Sequence, residues 1–257
     1  MWGFKFAAAV ALSFAHRLAM PSFRILRWAA WAPGLDDPAH WLDWLAAPRA
    51  LPADGLASLS EVPAMARRRI DPLGRAALQV AFQAQGADAG GPVVFASRWG
   101  EIARSVAMLQ QLAADEPLSP TAFSLSVHNA QSAQYSIARG DRSNFLAVAA
   151  GAHSAEAGFV EALGLLADGA EQVTVVCSDG PLPAPYADLA EPPGLAPLRA
   201  WACLIQPGSE LSLQTTAPGP TEGNAALGDL AVLRFLVGTD TQLQRGRWRW
   251  LRASAAP

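Results

Sequence analysis

Residues 144–169 read NFLAVAAGAHSAEAGFVEALGLLADG, and three different signatures follow one another within this stretch. Residues 145–150 form a continuous apolar run of strand length. Gly151 breaks it, and from Ala155 onward Phe159, Leu163 and Leu166 recur on one helical face until Asp168-Gly169 stops the helix. A buried strand that feeds a helix through a glycine turn holds the turn residues up at the mouth of a pocket, as nucleophile elbows do. The decisive question is therefore which side chains occupy positions 152–154, and they are Ala152, His153 and Ser154.

Working outward, the same alternation of strand and helix recurs along the chain. Residues 23–31 (FRILRWAAW) are rich in aromatic and β-branched side chains and end at Ala32-Pro33-Gly34, a turn signal. Residues 36–45 read as a short helix bearing Trp41 and Trp44. Asp71-Pro72 is a strong helix start, since Asp can accept free N–H groups at the N-cap and Pro suits the first helical position; Gly86 ends that helix. Strands are expected at 93–97 and 173–177, and helices at 102–113, 126–139 (closed by Gly140) and 225–237. Residues 199–206 and 211–215 read as two strands of an antiparallel ribbon around Pro207-Gly208, and Arg alternates with Trp248 and Trp250 near the end. Connections long enough to be crossovers imply an α/β fold with a mostly parallel sheet between helices.

With Ser126-Val-His-Asn-Ala130 and Ser136-Ile-Ala-Arg-Gly140 upstream, the 144–169 stretch resembles the N-terminal half of a β-ketoacyl synthase, a condensing enzyme of thiolase-like fold. The resemblance covers residues 23–206 and implies a truncated second half. In that family the strand delivers an acyl-accepting Cys at the head of the helix, and the family's spacing back from Gly169 places Ala152 at that position. The family's catalytic histidines lie in the second half, yet no His follows residue 206. The loss resembles the short chain-length-factor branch of aryl polyene pathways. It implies a non-catalytic subunit that pairs with an active β-ketoacyl synthase and, with an acyl carrier protein as further partner, shapes the acyl tunnel. By the same resemblance Asn144, Phe145, Leu146, Ala147, Val148, Ala149 and Ala150 form the dimer strand, pairing antiparallel across a twofold axis. Ala152, His153 and Ser154 then line the tunnel. His128 and Asn129 read either as bordering that pocket or as interface packing.

Composition bounds these readings. The chain has 257 residues, 51% of them hydrophobic, enough for a packed core in a single domain spanning 20–257. A net charge of −3 gives no global field to attract nucleic acid. Cys177 and Cys203 sit in apolar segments rather than a disulfide framework, which fits a reducing cytoplasm. The four histidines, His16, His40, His128 and His153, lack metal-ligand spacing, so neither metal nor cofactor is expected. The apolar run within residues 1–19 is too short to cross a bilayer of about 30 Å and lacks a small-x-small cleavage site. It reads as an over-extended start or a leader, with no stable membrane insertion.

Two other chemistries compete. A hydrolytic or acyl-transferring enzyme using Ser154 or Cys177 is the first, but GAHSAEAG is not G-x-S-x-G, and a helix-capping role suits Ser154. A homodimeric module that binds an acyl chain or a carrier protein is the second. Arg67, Arg68 and Arg69 lie just outside a helix N-terminus, where the dipole disfavours cations, and read as a solvated turn or a docking patch for an acidic carrier protein.

Overall fold

Strand β1 (Phe23–Trp31) lies near the middle of a single eight-stranded sheet, in a computed structural model that describes residues 22–87, 90–189, 198–219 and 227–254. The strand order is β3-β2-β4-β5-β1-β6-β8-β7, with β2 (Val93–Ala96), β3 (Phe145–Val148), β4 (Val173–Asp179), β5 (Arg199–Pro207), β6 (Leu211–Thr215), β7 (Gln242–Arg245) and β8 (Trp248–Arg252). Only the pairings of β2 with β3 and with β4 are parallel; every other pairing in the sheet is antiparallel. The sheet is thus mixed rather than mostly parallel, because the chain returns from β4 to β5 and from β1's far side to β8 in the opposite sense.

The expected β5–β6 ribbon does not form either. β1 slots between the two strands, pairing with β5 along most of its length and touching β6 at Phe23↔Leu211. The turn at Pro207-Gly208 is instead tied to the start of β1, through the Gly208 N–H and the Ser22 carbonyl. The Arg/Trp-rich end is half of a hairpin, β7–β8.

Both faces of the sheet are buried, and the side chains sort between them with period two. Val94 and Ala96 of β2, Val173, Val175 and Cys177 of β4, and Trp201 and Cys203 of β5 face one core. Val93, Phe95, Val176, Ala200 and Ala202 face the other. The first core is covered by α1 (Pro38–Ala46), α7 (Ser154–Ala167) and α8 (Leu230–Val237), and it holds Trp41, Trp44, Phe159, Trp201 and Trp250 fully buried. Phe159 and Trp250 meet edge to face at 5.0 Å.

The second core is covered mainly by α3 (Pro72–Gln85), which packs on β1, β4 and β5. Its ends are chemically determined. Asp71 Oδ1 accepts from the Gly74 N–H at 2.6 Å, Pro72 opens the helix, and Gly86 closes it. Arg27 of β1 donates to the terminal carbonyls of Ala84 and Gln85, which satisfies acceptors that a helix end leaves open. Between β2 and β3 run α4 (Ile102–Ala113), the short α5 (Pro120–Ser124) and α6 (Ala130–Arg139). α6 starts four residues later than expected, because residues 126–129 are a turn between α5 and α6. Gly140 ends α6 in the left-handed conformation expected of it. A further short helix, α2 (Ala64–Arg67), precedes α3. No helix among the described residues is long and apolar enough to cross a membrane, and residues 1–19, read above as an over-extended start or a leader, lie outside them.

Candidate functional site

β3 rises to Val148, Ala149 and Ala150 emerge exposed, and a single 3₁₀ turn over Gly151–His153 hands the chain to α7. The strand, turn and helix anticipated from residues 144–169 are all present, and Ala152 sits exposed at the crest. Ser154 beneath it is buried. Its hydroxyl accepts from the Ala150 N–H at 3.0 Å and donates to the Gly151 carbonyl at 2.8 Å. It therefore staples the turn across its base rather than capping α7, and both hydrogen-bonding roles of the oxygen are taken up by backbone.

Under the turn lies an ion pair that no local pattern advertised. Glu156, in the first turn of α7, is completely buried, and its Oε1 accepts from Nε of Arg245 at 2.6 Å. Burial opposes its ionisation, yet His153 and the Arg245 guanidinium together hold the carboxyl below the usual range. Arg245, itself only 5% exposed, also donates to the Ala152 carbonyl at 2.9 Å and to the Gly228 carbonyl. His153 turns its Nδ1 towards Glu156 Oε2 at 3.8 Å, too far for a hydrogen bond. Its other ring nitrogen packs on the β7–β8 hairpin at Gly246, where a Cβ would come within 3.0 Å and the backbone has φ +57°.

A second polar cluster lies behind the turn, around a cavity of about 20 Å³ lined in part by Gly151, Ala152, Cys177 and Asp179. The Asp179 carboxylate accepts from the Ser97 hydroxyl and the Arg98 N–H, each at 3.0 Å, so the end of β4 pins the loop that follows β2. Burial pushes its pKa up to about 6. Asp229 pairs with Arg199 and accepts from the Trp201 indole at 2.7 Å. Cys177 is buried and its thiol is pushed well above the ordinary range by burial, then by nearby acids, Asp229 foremost. A thiol in that setting is a poor nucleophile.

His128 and Asn129 part company. The His128 ring lies against Gly100, where a Cβ would meet Nδ1 at 2.5 Å and φ is +54°, and its Nε2 lies 3.2 Å from the Val148 carbonyl at the head of β3. It thus ties the α5–α6 turn to the strand that feeds Ala152. Asn129 is exposed and its side chain makes no cap to α6. Behind α6, Ser178 donates to Gln131 at 3.0 Å and Gln131 donates to Glu101 at 3.1 Å. Burial, then the neighbouring Asp71, pushes the Glu101 carboxyl up to about 8. Of the triple Arg, Arg67 donates to the carbonyls of Ser58 and Leu59, while Arg68 and Arg69 are exposed.

Among the described residues no three His, Cys, Asp or Glu side chains are grouped to hold a metal ion. β3 is an edge strand, hydrogen-bonded to β2 on one side, and all four of its residues are half-buried. Glu156, Arg245, Asp179 and Asp229 were missed from the sequence. Glu156 shares a helical face with Phe159 and Leu163, which points to a buried carboxylate in need of a partner but does not say which residue supplies it.

Searches against known proteins agree with this geometry. No curated protein matches the chain. Among solved structures, a chain of the ketosynthase ApeO in complex with its chain length factor ApeC, from Xenorhabdus doucetiae, superposes with a TM-score of 0.80 at 28% identity. That match covers 90% of this chain and 99% of the other. The ishigamide ketosynthase/chain length factor (TM-score 0.60, 14% identity, 76% and 67% covered) and a β-ketoacyl synthase from Burkholderia phymatum STM815 (0.57, 12%, 80% and 67%) share the fold. The family model for the β-ketoacyl synthase N-terminal domain matches residues 41–251. With a thiolase-like sheet, an elbow between β3 and α7, and a family match over most of its length, this chain belongs to the β-ketoacyl synthase N-terminal domain family.

Proposed function

We propose that the chain is a chain-length-factor-like subunit without condensing activity of its own, which completes an active β-ketoacyl synthase and shapes the far end of its acyl tunnel. The observation that carries this reading is Ala152. It stands exposed at the crest of the elbow, the position that the family resemblance gives to the acyl-accepting Cys, and it offers only a methyl group. The surroundings support the reading, since Ser154 is committed to the turn and Cys177 is buried with a raised pKa.

Edge strand β3 supplies the surface for a partner. Its outer side presents backbone groups suited to pairing with another strand, and an exposed edge of this kind is normally covered. Helices α4, α5 and α6, which precede it, leave Leu109, Phe123 and Ile137 exposed, the last at 82%. On this reading these side chains belong to the contact surface. An obligate interface of this type buries about 2,000 Å² or more. Arg68 and Arg69 are the candidate contacts for an acidic acyl carrier protein, and the pair works in the cytoplasm on polyene or fatty-acid-type chains. Co-expression with a β-ketoacyl synthase tests the assembly. One-to-one co-purification that is lost on Ala147→Lys, a charge placed on the β3 edge, supports it; a homodimer unaffected by the synthase contradicts it.

A further inference from the structure

We infer that Arg245 is a positioning residue for the elbow. By holding the Ala152 carbonyl it sets where the end wall of the tunnel stands, although it does not itself face the chain. Its consequence for product length rests on the tunnel reading above; its effect on the turn does not.

Arg245 belongs to β7, the last strand of the sheet in spatial order, whereas the elbow follows β3, the first. Its guanidinium nevertheless lies under the turn and is fully engaged. Nε meets Glu156, one terminal nitrogen meets the Ala152 carbonyl, and the other meets the Gly228 carbonyl. A planar fork whose donors point in fixed directions onto three acceptors leaves little freedom to any of them, and a Lys ammonium cannot reproduce that pattern. The contact at Ala152 is to the backbone, so it fixes the height of the crest whatever side chain stands there. A second contact reinforces the first: the hairpin tip at Gly246 packs on the His153 ring.

The segment after β5 therefore does more than close the Phe235 and Trp250 side of the core. It reaches back to the elbow at the Ala152 carbonyl and at His153. Glu156 has a supporting part. A guanidinium buried this deeply requires a carboxylate, and the carboxylate in turn orients the fork.

The test compares Arg245→Lys, Glu156→Gln and the paired replacement Glu156→Leu with Arg245→Met, which removes both charges and leaves neither partner orphaned. Two readouts are taken: amide hydrogen exchange over residues 150–155 of the full chain, and the product-length distribution of the complex with its co-purified synthase. Ala152→Phe serves as a control in the second. Arg245→Lys and the paired replacement are expected to speed exchange at the elbow roughly tenfold while core strands β4 and β5 stay protected, and to broaden the product distribution with co-purification retained. Glu156→Gln, which keeps an acceptor for Nε but leaves the buried guanidinium without its counter-charge, is expected to speed exchange at the elbow as well. Wild-type exchange at the elbow in the folded paired replacement overturns the inference. If exchange rises but neither Arg245→Lys nor Ala152→Phe alters product length, Arg245 stands as the positioning residue and the tunnel reading fails. If Ala152→Phe alone alters length, the tunnel reading stands and the role of Arg245 in setting length fails.

Discussion

Replacing Glu101 by Gln should remove a pH dependence of stability that the wild-type chain carries between about 4.5 and 8. The side chain is almost wholly enclosed between Gln131, Asp71 and Arg104, and its carboxyl is raised from 4.5 to about 8, chiefly by burial and then by Asp71. In the unfolded chain the group ionises near 4.5, so between those values the native state holds the extra proton. Its contribution is fully present below about 4.5 and is lost as pH rises through about 8. At about 1.4 kcal/mol per pKa unit the whole displacement sets a ceiling of ~5 kcal/mol. Relaxation around a site that includes Arg104 lowers the expected figure to about 1–3 kcal/mol. Gln is neutral throughout, keeps the acceptor for Gln131, and can donate towards Asp71. Urea unfolding from pH 5 to 8.5 should show Glu101→Gln gaining on wild type as pH rises, reaching that margin near pH 8.5. Asp179, also raised by burial, to about 6, contributes equally to both proteins and cancels in the difference. Parallel pH profiles, or a variant destabilised by the same amount at every pH, would refute the reasoning.

Other predictions concern the elbow and its supports. If Ala152 lines the acyl tunnel as proposed, Ala152→Phe extends a ring into it by several ångströms; with carbon–carbon bonds of ~1.5 Å, this should shorten products by about one or two two-carbon units, read by mass spectrometry of the complex. Gly100→Ala meets both a left-handed backbone and the His128 ring at 2.5 Å. It should cost about 2–3 kcal/mol in urea unfolding, and a change below 0.5 kcal/mol would show that the ring moves aside freely. Cys177 and Cys203, buried with raised pKa values, should resist thiol reagents in the native chain and label only on denaturation; rapid labelling of Cys177 would revive it as a nucleophile.

The elements that could be read from sequence are those whose ends are set by adjacent residues. Asp71-Pro72 and Gly86 bound α3 because capping and backbone conformation act within a few positions, and the 144–169 stretch carried its strand, turn and helix for the same reason. Strand pairing is different in kind. Pro207-Gly208 looks like a hairpin tip, yet β5 and β6 are separated by a strand that comes nearly 180 residues earlier in the chain. β7 (QLQR) carries no hydrophobic pattern, because Gln244 and Arg245 are buried by specific partners and Gln242 is exposed. The Glu156–Arg245 pair spans 89 positions, and a long-range ion pair leaves no periodic trace. Ser154 reads from sequence as a helix cap, yet the 3₁₀ geometry redirects its hydroxyl to Ala150 and Gly151.

The most direct test supplies this chain, purified alone, with an acylated carrier protein and a malonyl-loaded carrier protein, and measures condensation beside the same chain in complex with its synthase. The account predicts new carbon–carbon bonds from the complex and none from the isolated chain; condensation by the isolated chain would contradict it.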